Sequence, residues 1–168
     1  LKTQWLAKLY VHNTPHCIAE YLGSICKLTY LHEGMSSSNI YTIVKNAMLE
    51  MGEALVNVYE LDREFIGWYS KKELSRFSNK LLFDPISRVA REPFRKLGLT
   101  SGLIGAAQLC LQAGIIPKNI ITGIMAAFSY DNINDNDSNI KILMDSLSPP
   151  DFLNLVINVH SHESLYEL

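Results

Sequence analysis

Apolar positions along this chain recur mostly at the three- and four-residue spacing of amphipathic helices. The clearest stretch holds this spacing for about five turns from Ile40 to Tyr59, after N-cap candidates at residues 36–39. A second helix is predicted from Asp62 to Phe77. No segment shows a sustained two-residue alternation or a hairpin signal. The pattern therefore predicts an all-α fold, built as one compact multi-helix unit over residues 1–168.

Capping residues, glycines and prolines divide the second half of the chain into shorter helices. Thr100 or Ser101 is expected to cap a helix that ends near Gly114, and Pro117 is expected to open the next one. Both helices are apolar enough to be packed in a core. We therefore expect both helices to belong to the one compact all-α unit.

The C-terminal part of the chain is predicted to be more polar. We expect a polar loop and a short helix within residues 131–147, and a last helix from Pro150. The residues from Asp135 begin like a calcium-binding loop. However, Ile140 stands where such a loop needs glycine, and Ser146 stands where it needs a bidentate glutamate. We therefore expect a solvated loop there, and no metal site in this chain.

Composition and charge exclude several classes of protein. The chain has 168 residues, of which 48% are hydrophobic and 19% charged, which is typical of a packed globule and not of disorder. A net charge of −2 gives no general attraction to nucleic acid. No apolar run reaches the roughly 20 residues of a membrane span. Three scattered cysteines suit a reducing compartment, so we expect a cytoplasmic protein; they are Cys17, Cys26 and Cys110.

The first candidate site is a polar cluster early in the chain. Lys8, Asn13 and His16 are spaced so that, on an α-helix, they fall within roughly 140° of arc. Their side chains could therefore reach one cavity. Pro15 predicts a break here, with Thr14 capping a new helix, although a kinked helix also fits.

These residue types offer acid–base chemistry. If Lys8 packs among Trp5, Leu9 and Tyr10, partial desolvation lowers its pKa toward that of a useful base. The asparagine amide can donate to a carbonyl or a developing alkoxide, and the histidine can position a hydroxyl. The alternative is a solvated lysine, an N-capping asparagine and a histidine satisfied in the core. Spacing alone does not decide between the two interpretations.

The second candidate site is a concentration of positive charge. Nine of the fifteen Lys and Arg residues fall between Arg63 and Lys96. Asp84 followed by Pro85 predicts a helix start, and Pro93 divides the segment into two short helices. The cluster either recognises a phosphate or carboxylate through arginine forks or forms a solvated basic surface. Its members are Arg88, Arg91, Arg95 and Lys96.

Together the two segments resemble the polyol-specific long-chain dehydrogenases, the mannitol dehydrogenase family. Lys8, Asn13 and His16 match the K-x4-N-x2-H pattern of that family, while Pro15 and His12 depart from it. The stretches "DPISRVAREPFRKLG" and "GIIPKNIITGIMAAFSY" are similar to the branch that acts on mannitol 1-phosphate. The resemblance implies a compact helical C-terminal substrate domain of the 6-phosphogluconate-dehydrogenase-like type, with no Rossmann sheet in this chain.

The resemblance also implies a reaction and a set of roles. The reaction is the NAD-linked, metal-independent interconversion of mannitol 1-phosphate and fructose 6-phosphate. Lys8 is then the general base, Asn13 polarises the reacting oxygen, and His16 hydrogen-bonds the sugar chain. The substrate-binding cations are Arg88, Lys96, Arg91 and Arg95.

The cofactor is expected to bind outside this chain. No G-x-G-x-x-G sequence follows a predicted strand, and the chain begins at Leu1 rather than methionine. We therefore expect an N-terminal Rossmann domain in a longer protein to bind NAD, and we expect this chain alone to be inactive.

Other substrates and one other class of protein stay open. Free mannitol with fructose, or the sugar acids fructuronate and tagaturonate, are substrates of sibling enzymes. The basic band at residues 63–96 could instead belong to a helical interaction or nucleic-acid module. The net charge argues against nucleic acid, so we expect a small sugar phosphate or polyol as the partner, and no membrane.

Overall fold

The computed structural model describes residues 1–90, 92–99 and 102–130, together with the single residues Ser146 and Ser148. These residues form helices and connecting turns, with no strand among them, which confirms the all-α prediction for this part of the chain. The calcium-like sequence and the predicted C-terminal loop and helices lie outside the described residues. None of the described helices is long and apolar enough to cross a membrane.

The helices follow one another with short connections. They are α1 (Lys2–Leu6), a π-helical segment (Ala7–Asn13), α2 (Thr14–Ile25), α3 (Leu31–Ser36), α4 (Ser38–Tyr59), α5 (Arg63–Phe77), a 3₁₀ turn (Lys80–Leu82), α6 (Ile86–Val89), α7 (Pro93–Leu97), α8 (Leu103–Gln112) and α9 (Lys118–Phe128). The predictions for α4 and α5 are confirmed. Asp62 caps α5 by accepting a hydrogen bond of 2.6 Å from the Phe65 N–H.

The predicted break at Pro15 is wrong. Asn13 and Thr14 both have helical dihedrals, and Thr14 makes no capping hydrogen bond, so α1, the π-helical segment and α2 form one continuous helix. In a π turn each N–H pairs with the carbonyl five residues back. The helix therefore absorbs an extra residue just before the proline. Pro15 is the second residue of α2 and lies inside the continuous helix, so its missing N–H removes one backbone hydrogen bond without ending the helix.

Prolines and glycines delimit the later helices. Pro85 is the extended N-cap of α6, so that helix begins one residue later than predicted. Pro93 opens α7, which confirms two short helices in place of one. Gly114 lies just after α8 with a φ of 77°, a left-handed conformation that glycine adopts without strain. Pro117 caps α9 as predicted.

Helix α2 lies at the centre of the fold, where it packs against α4 and α9. A Cβ added at Gly123 of α9 would lie only 2.4 Å from Cγ1 of Ile18 on α2. Glycine therefore allows these two helices to approach closely. The largest fully buried apolar side chains of the described residues are Val11, Ile18, Tyr21, Val44, Met51, Leu55, Leu97, Leu103 and Ile120. This packing fixes the position of the polar residues that α2 carries.

Candidate functional site

A pocket of about 220 Å³ lies where the start of α2 meets the turn between α7 and α8. Four residues predicted from the sequence to form the site line it together, although they come from two distant segments. The pocket-lining residues are Asn13, Thr14, His16, Cys17, Arg95, Lys96, Gly102 and Leu103. The structure thus brings the asparagine and histidine of the early cluster next to two cations of the basic segment.

Lys8 does not line this pocket. It lies in the π-helical segment and is exposed, as is Asn13, and Trp5 is 62% exposed. Among the described residues, Lys8 is therefore not packed among Trp5, Leu9 and Tyr10 in the way that would desolvate it, and its role stays a prediction. Lys8 and Asn13 are five residues apart, which is the hydrogen-bonding repeat of a π helix, so both lie on one side of it.

His16 lies between two carboxylates. Its Nδ1 is 2.5 Å from Oε1 of Glu20, and its Nε2 is 3.3 Å from Oδ2 of Asp84. Burial alone lowers the pKa of His16. The hydrogen bond to Glu20, the charges of Glu20 and Asp84 and the hydrogen bond to Asp84 together outweigh burial, so the pKa lies above its ordinary value. His16 is therefore held toward its protonated form.

Glu20 also contacts the basic segment. Its side chain is fully buried, and its Oε2 accepts a hydrogen bond of 3.1 Å from Nζ of Lys96. The Lys96 side chain is only 9% exposed, and its ammonium lies 5.7 Å from the centre of the Tyr21 ring. A buried carboxylate on α2 thus joins the histidine of one predicted cluster to the lysine of the other.

The turn between α7 and α8 depends on a glycine. A Cβ at Gly102 would come within 2.4 Å of the Gly98 nitrogen and 2.5 Å of the Lys96 carbonyl oxygen. The Gly102 N–H donates to the Gly98 carbonyl at 3.2 Å. This tight turn places Lys96 in the pocket wall. Arg95 is exposed and forms an ion pair with Glu92.

Among the described cations, Arg88 does not line the pocket. Arg88 on α6 is exposed, and its Nη2 donates to Oδ1 of Asp84 at 2.6 Å. Asp84 therefore connects Arg88 to His16. Arg91 lies outside the described residues.

Sequence reasoning missed the carboxylates that pair with the histidines of this helix, which are Glu20, Glu73 and Asp84. Glu20 follows His16 by four residues, so helical spacing could have paired them. Glu73 and Asp84 lie 61 and 68 residues from their histidine partners, and no local pattern indicates them. Nδ1 of His12 is 2.7 Å from Oε2 of Glu73, and its ring stacks on that of His16 with centroids 5.3 Å apart. Burial lowers the pKa of His12, and this outweighs the opposing effect of Glu73.

Two kinds of chemistry do not fit the described residues. Burial raises the pKa of the Cys17 thiol to about 12, so this pocket residue is not a thiolate nucleophile near neutral pH. The described part of the chain has no group of three His, Cys, Asp or Glu side chains placed to hold a metal. The pocket instead combines two cations, a histidine and an amide, which suits a ligand with hydroxyls and a negative charge.

Comparison with known proteins agrees with this chemistry. The sequence model of the mannitol dehydrogenase C-terminal domain matches residues 3–154. A mannitol-1-phosphate 5-dehydrogenase of Caldanaerobacter subterraneus subsp. tengcongensis is 39% identical over 124 residues, which cover 74% of this chain and 32% of the relative. One from an Exiguobacterium species is 31% identical over 162 residues, covering 96% and 42% respectively. The chain thus spans less than half the length of either relative.

Proposed function

Since this chain belongs to the mannitol dehydrogenase family as its C-terminal domain, we propose that it forms the substrate-binding half of an NAD-dependent mannitol-1-phosphate 5-dehydrogenase. The reaction converts mannitol 1-phosphate to fructose 6-phosphate by loss of a hydride and a proton. The observation that carries the proposal is the pocket in which Asn13 and His16 meet Arg95 and Lys96. The two relatives with that name support the choice of substrate.

The cofactor belongs to another domain in this proposal. The described residues hold no strand followed by a glycine-rich turn and a helix, so they do not fit a dinucleotide site. NAD, when bound by a domain outside this chain, accepts the hydride. This chain then contributes the substrate pocket and the group that takes the proton.

The phosphate of the substrate binds at α7. Lys96 carries three N–H donors, and Glu20 takes one of them. The others are available to phosphate oxygens, and Arg95 at the exposed rim can add a guanidinium fork. Asn13 then donates its amide N–H to the reacting oxygen, and His16 hydrogen-bonds a neighbouring hydroxyl. Arg88 acts indirectly, because it holds Asp84, which contacts His16. The role of Arg91 stays a prediction.

Lys8 takes the proton. A lysine acts as a base only in its neutral form, which desolvation favours. Lys8 is exposed and lies on the same side of the π-helical segment as Asn13, so a second domain bound over this face would desolvate it beside the reacting oxygen. The two domains together then complete the site.

Replacement of Lys8 tests this role. In the protein that joins this chain to its dinucleotide-binding domain, we expect Lys8→Ala to lower kcat with fructose 6-phosphate by at least about a hundredfold, the lower range for a lost general base. An added primary amine should restore part of the activity. Lys2→Ala, which removes another exposed lysine from the same continuous helix, is the control and should change kcat little. Near-normal turnover of Lys8→Ala would show that the base is another group.

A further inference from the structure

Glu20 occupies a position that the proposed reaction does not use. Its carboxylate is fully buried, and each oxygen faces a different residue of the pocket: Oε1 is 2.5 Å from Nδ1 of His16, and Oε2 is 3.1 Å from Nζ of Lys96. A buried carboxylate is unfavourable unless it is paired, so both contacts constrain all three side chains. We infer that Glu20 is a positioning residue that fixes His16 and Lys96 relative to each other for substrate binding. This inference rests on the proposed function.

The first contact orients the imidazole of His16. A carboxylate oxygen 2.5 Å from Nδ1 restricts the ring and favours a proton on that nitrogen, which leaves Nε2 as the atom that can change partners. Nε2 is 3.3 Å from Oδ2 of Asp84, at the long end of hydrogen-bond distances. A substrate hydroxyl can therefore replace Asp84 at Nε2 without disturbing Glu20. The rings of Phe77 and His12 pack against the imidazole, 4.9 and 5.3 Å away between centroids.

The second contact places the ammonium of Lys96. Glu20 and Lys96 are 76 residues apart in sequence, on α2 and α7, so their hydrogen bond ties the pocket wall to the central helix. The Tyr21 ring lies beside the same ammonium. A lysine with a flexible four-carbon stem would otherwise sample many rotamers. Its pairing with Glu20 thus reduces the entropic cost of ordering the Lys96 side chain when phosphate binds.

A matched control lies on α5, outside the pocket. Glu73 is a second buried glutamate paired with a histidine, with 3% side-chain exposure and a distance of 2.7 Å to Nδ1 of His12. It contacts neither Lys96 nor the pocket. Glu73→Gln therefore measures the effect on folding stability of losing a buried Glu–His pair. A difference between the two variants in substrate parameters isolates the positioning role of Glu20.

The experiment compares Glu20→Gln, Glu20→Asp and Glu73→Gln in the full-length enzyme. For Glu20→Gln we expect KM for fructose 6-phosphate to rise at least tenfold with a smaller change in kcat. The limb of the kcat/KM pH profile that belongs to His16 should move to lower pH, because the Glu20 charge that favours the imidazolium is gone. Glu20→Asp should recover part of both. Glu73→Gln should keep KM within twofold of wild type. Equal KM values and pH limbs in Glu20→Gln and Glu73→Gln would overturn the inference.

A second measurement needs no variant that might fail to fold. The ¹⁵N shifts of the His16 ring in the wild-type full-length protein report which nitrogen carries the proton. We expect Nδ1 to stay protonated above the pKa of His16, and a bare Nδ1 with a protonated Nε2 would overturn the inference. If the wild-type enzyme does not reduce fructose 6-phosphate, the proposed function fails, and the ring shifts still decide whether Glu20 holds His16.

Discussion

Replacement of Gly123 by alanine tests the close crossing of α2 and α9 that supports the pocket. The new Cβ would lie 2.4 Å from Cγ1, 3.1 Å from Cδ1 and 3.2 Å from Cβ of Ile18, a side chain with no exposed surface. Ile18 cannot swing into solvent, so the helices must separate. Overpacking of this kind destabilises by about 1–3 kcal/mol, and the better helix propensity of alanine returns at most about 1 kcal/mol. Because a 2.4 Å contact with a fully buried side chain places the cost toward the upper end of that range, we expect a net loss of about 1–2 kcal/mol.

Gly67→Ala is the control because it makes the same chemical change in another helix. A Cβ added at Gly67 of α5 meets no atom within 4 Å, so only the propensity gain of up to about 1 kcal/mol remains. Urea denaturation followed by circular dichroism measures both free energies of unfolding. At about 2–4 °C per kcal/mol, Gly123→Ala should also lower Tm by roughly 2–8 °C. Unchanged stability of Gly123→Ala, or an equal loss in Gly67→Ala, would refute the close crossing.

The pKa values of the two stacked histidines, His12 and His16, should be shifted in opposite directions. In an NMR titration we expect the ring of His12 to titrate below, and that of His16 above, the ordinary value of about 6.5, and the reverse order would contradict the described contacts. The stabilising effect of His16 should be fully present below about pH 6.5 and lost as the pH rises through its raised folded-state pKa, so the stability deficit of His16→Gln should shrink over that range. His12 should lower stability as the pH falls from about 6.5 through its depressed folded-state pKa, and His12→Gln should abolish this loss.

Long amphipathic periods and capping residues predict most of the described fold. The apolar spacing predicts α4 and α5, and Asp62 and Pro117 mark helix starts that the structure confirms. The continuous helix through Pro15 is not predictable from local preferences, because the extra residue is absorbed by a π turn on a helix that packs on both α4 and α5. Gly102 is the N-cap of α8, and the tight turn at Gly98 leaves no room for a Cβ there, whereas the predicted caps Thr100 and Ser101 lie outside the described residues.

Some residues of the candidate site are likewise predictable from the sequence, and others are not. The spacing of Asn13 and His16, and the cations that follow Pro93, point to residues that line one pocket. The sequence does not reveal that Glu20 joins the two segments, because its contact with Lys96 spans 76 residues and exists only after folding. The exposure of Lys8 is likewise a property of the assembled fold, since nothing in the local pattern says which helix face other elements cover.

The rate of NADH oxidation with fructose 6-phosphate, fructose and fructuronate, measured in parallel on the full-length protein, tests the central claim most directly. Two charge-assisted contacts to phosphate, at about 1.5 kcal/mol or more each, predict a kcat/KM for fructose 6-phosphate at least about a hundredfold above that for fructose. A clear preference of that size would support the assignment of Arg95 and Lys96 to the phosphate. Preference for fructose or fructuronate, or no turnover with any of the three, would contradict it.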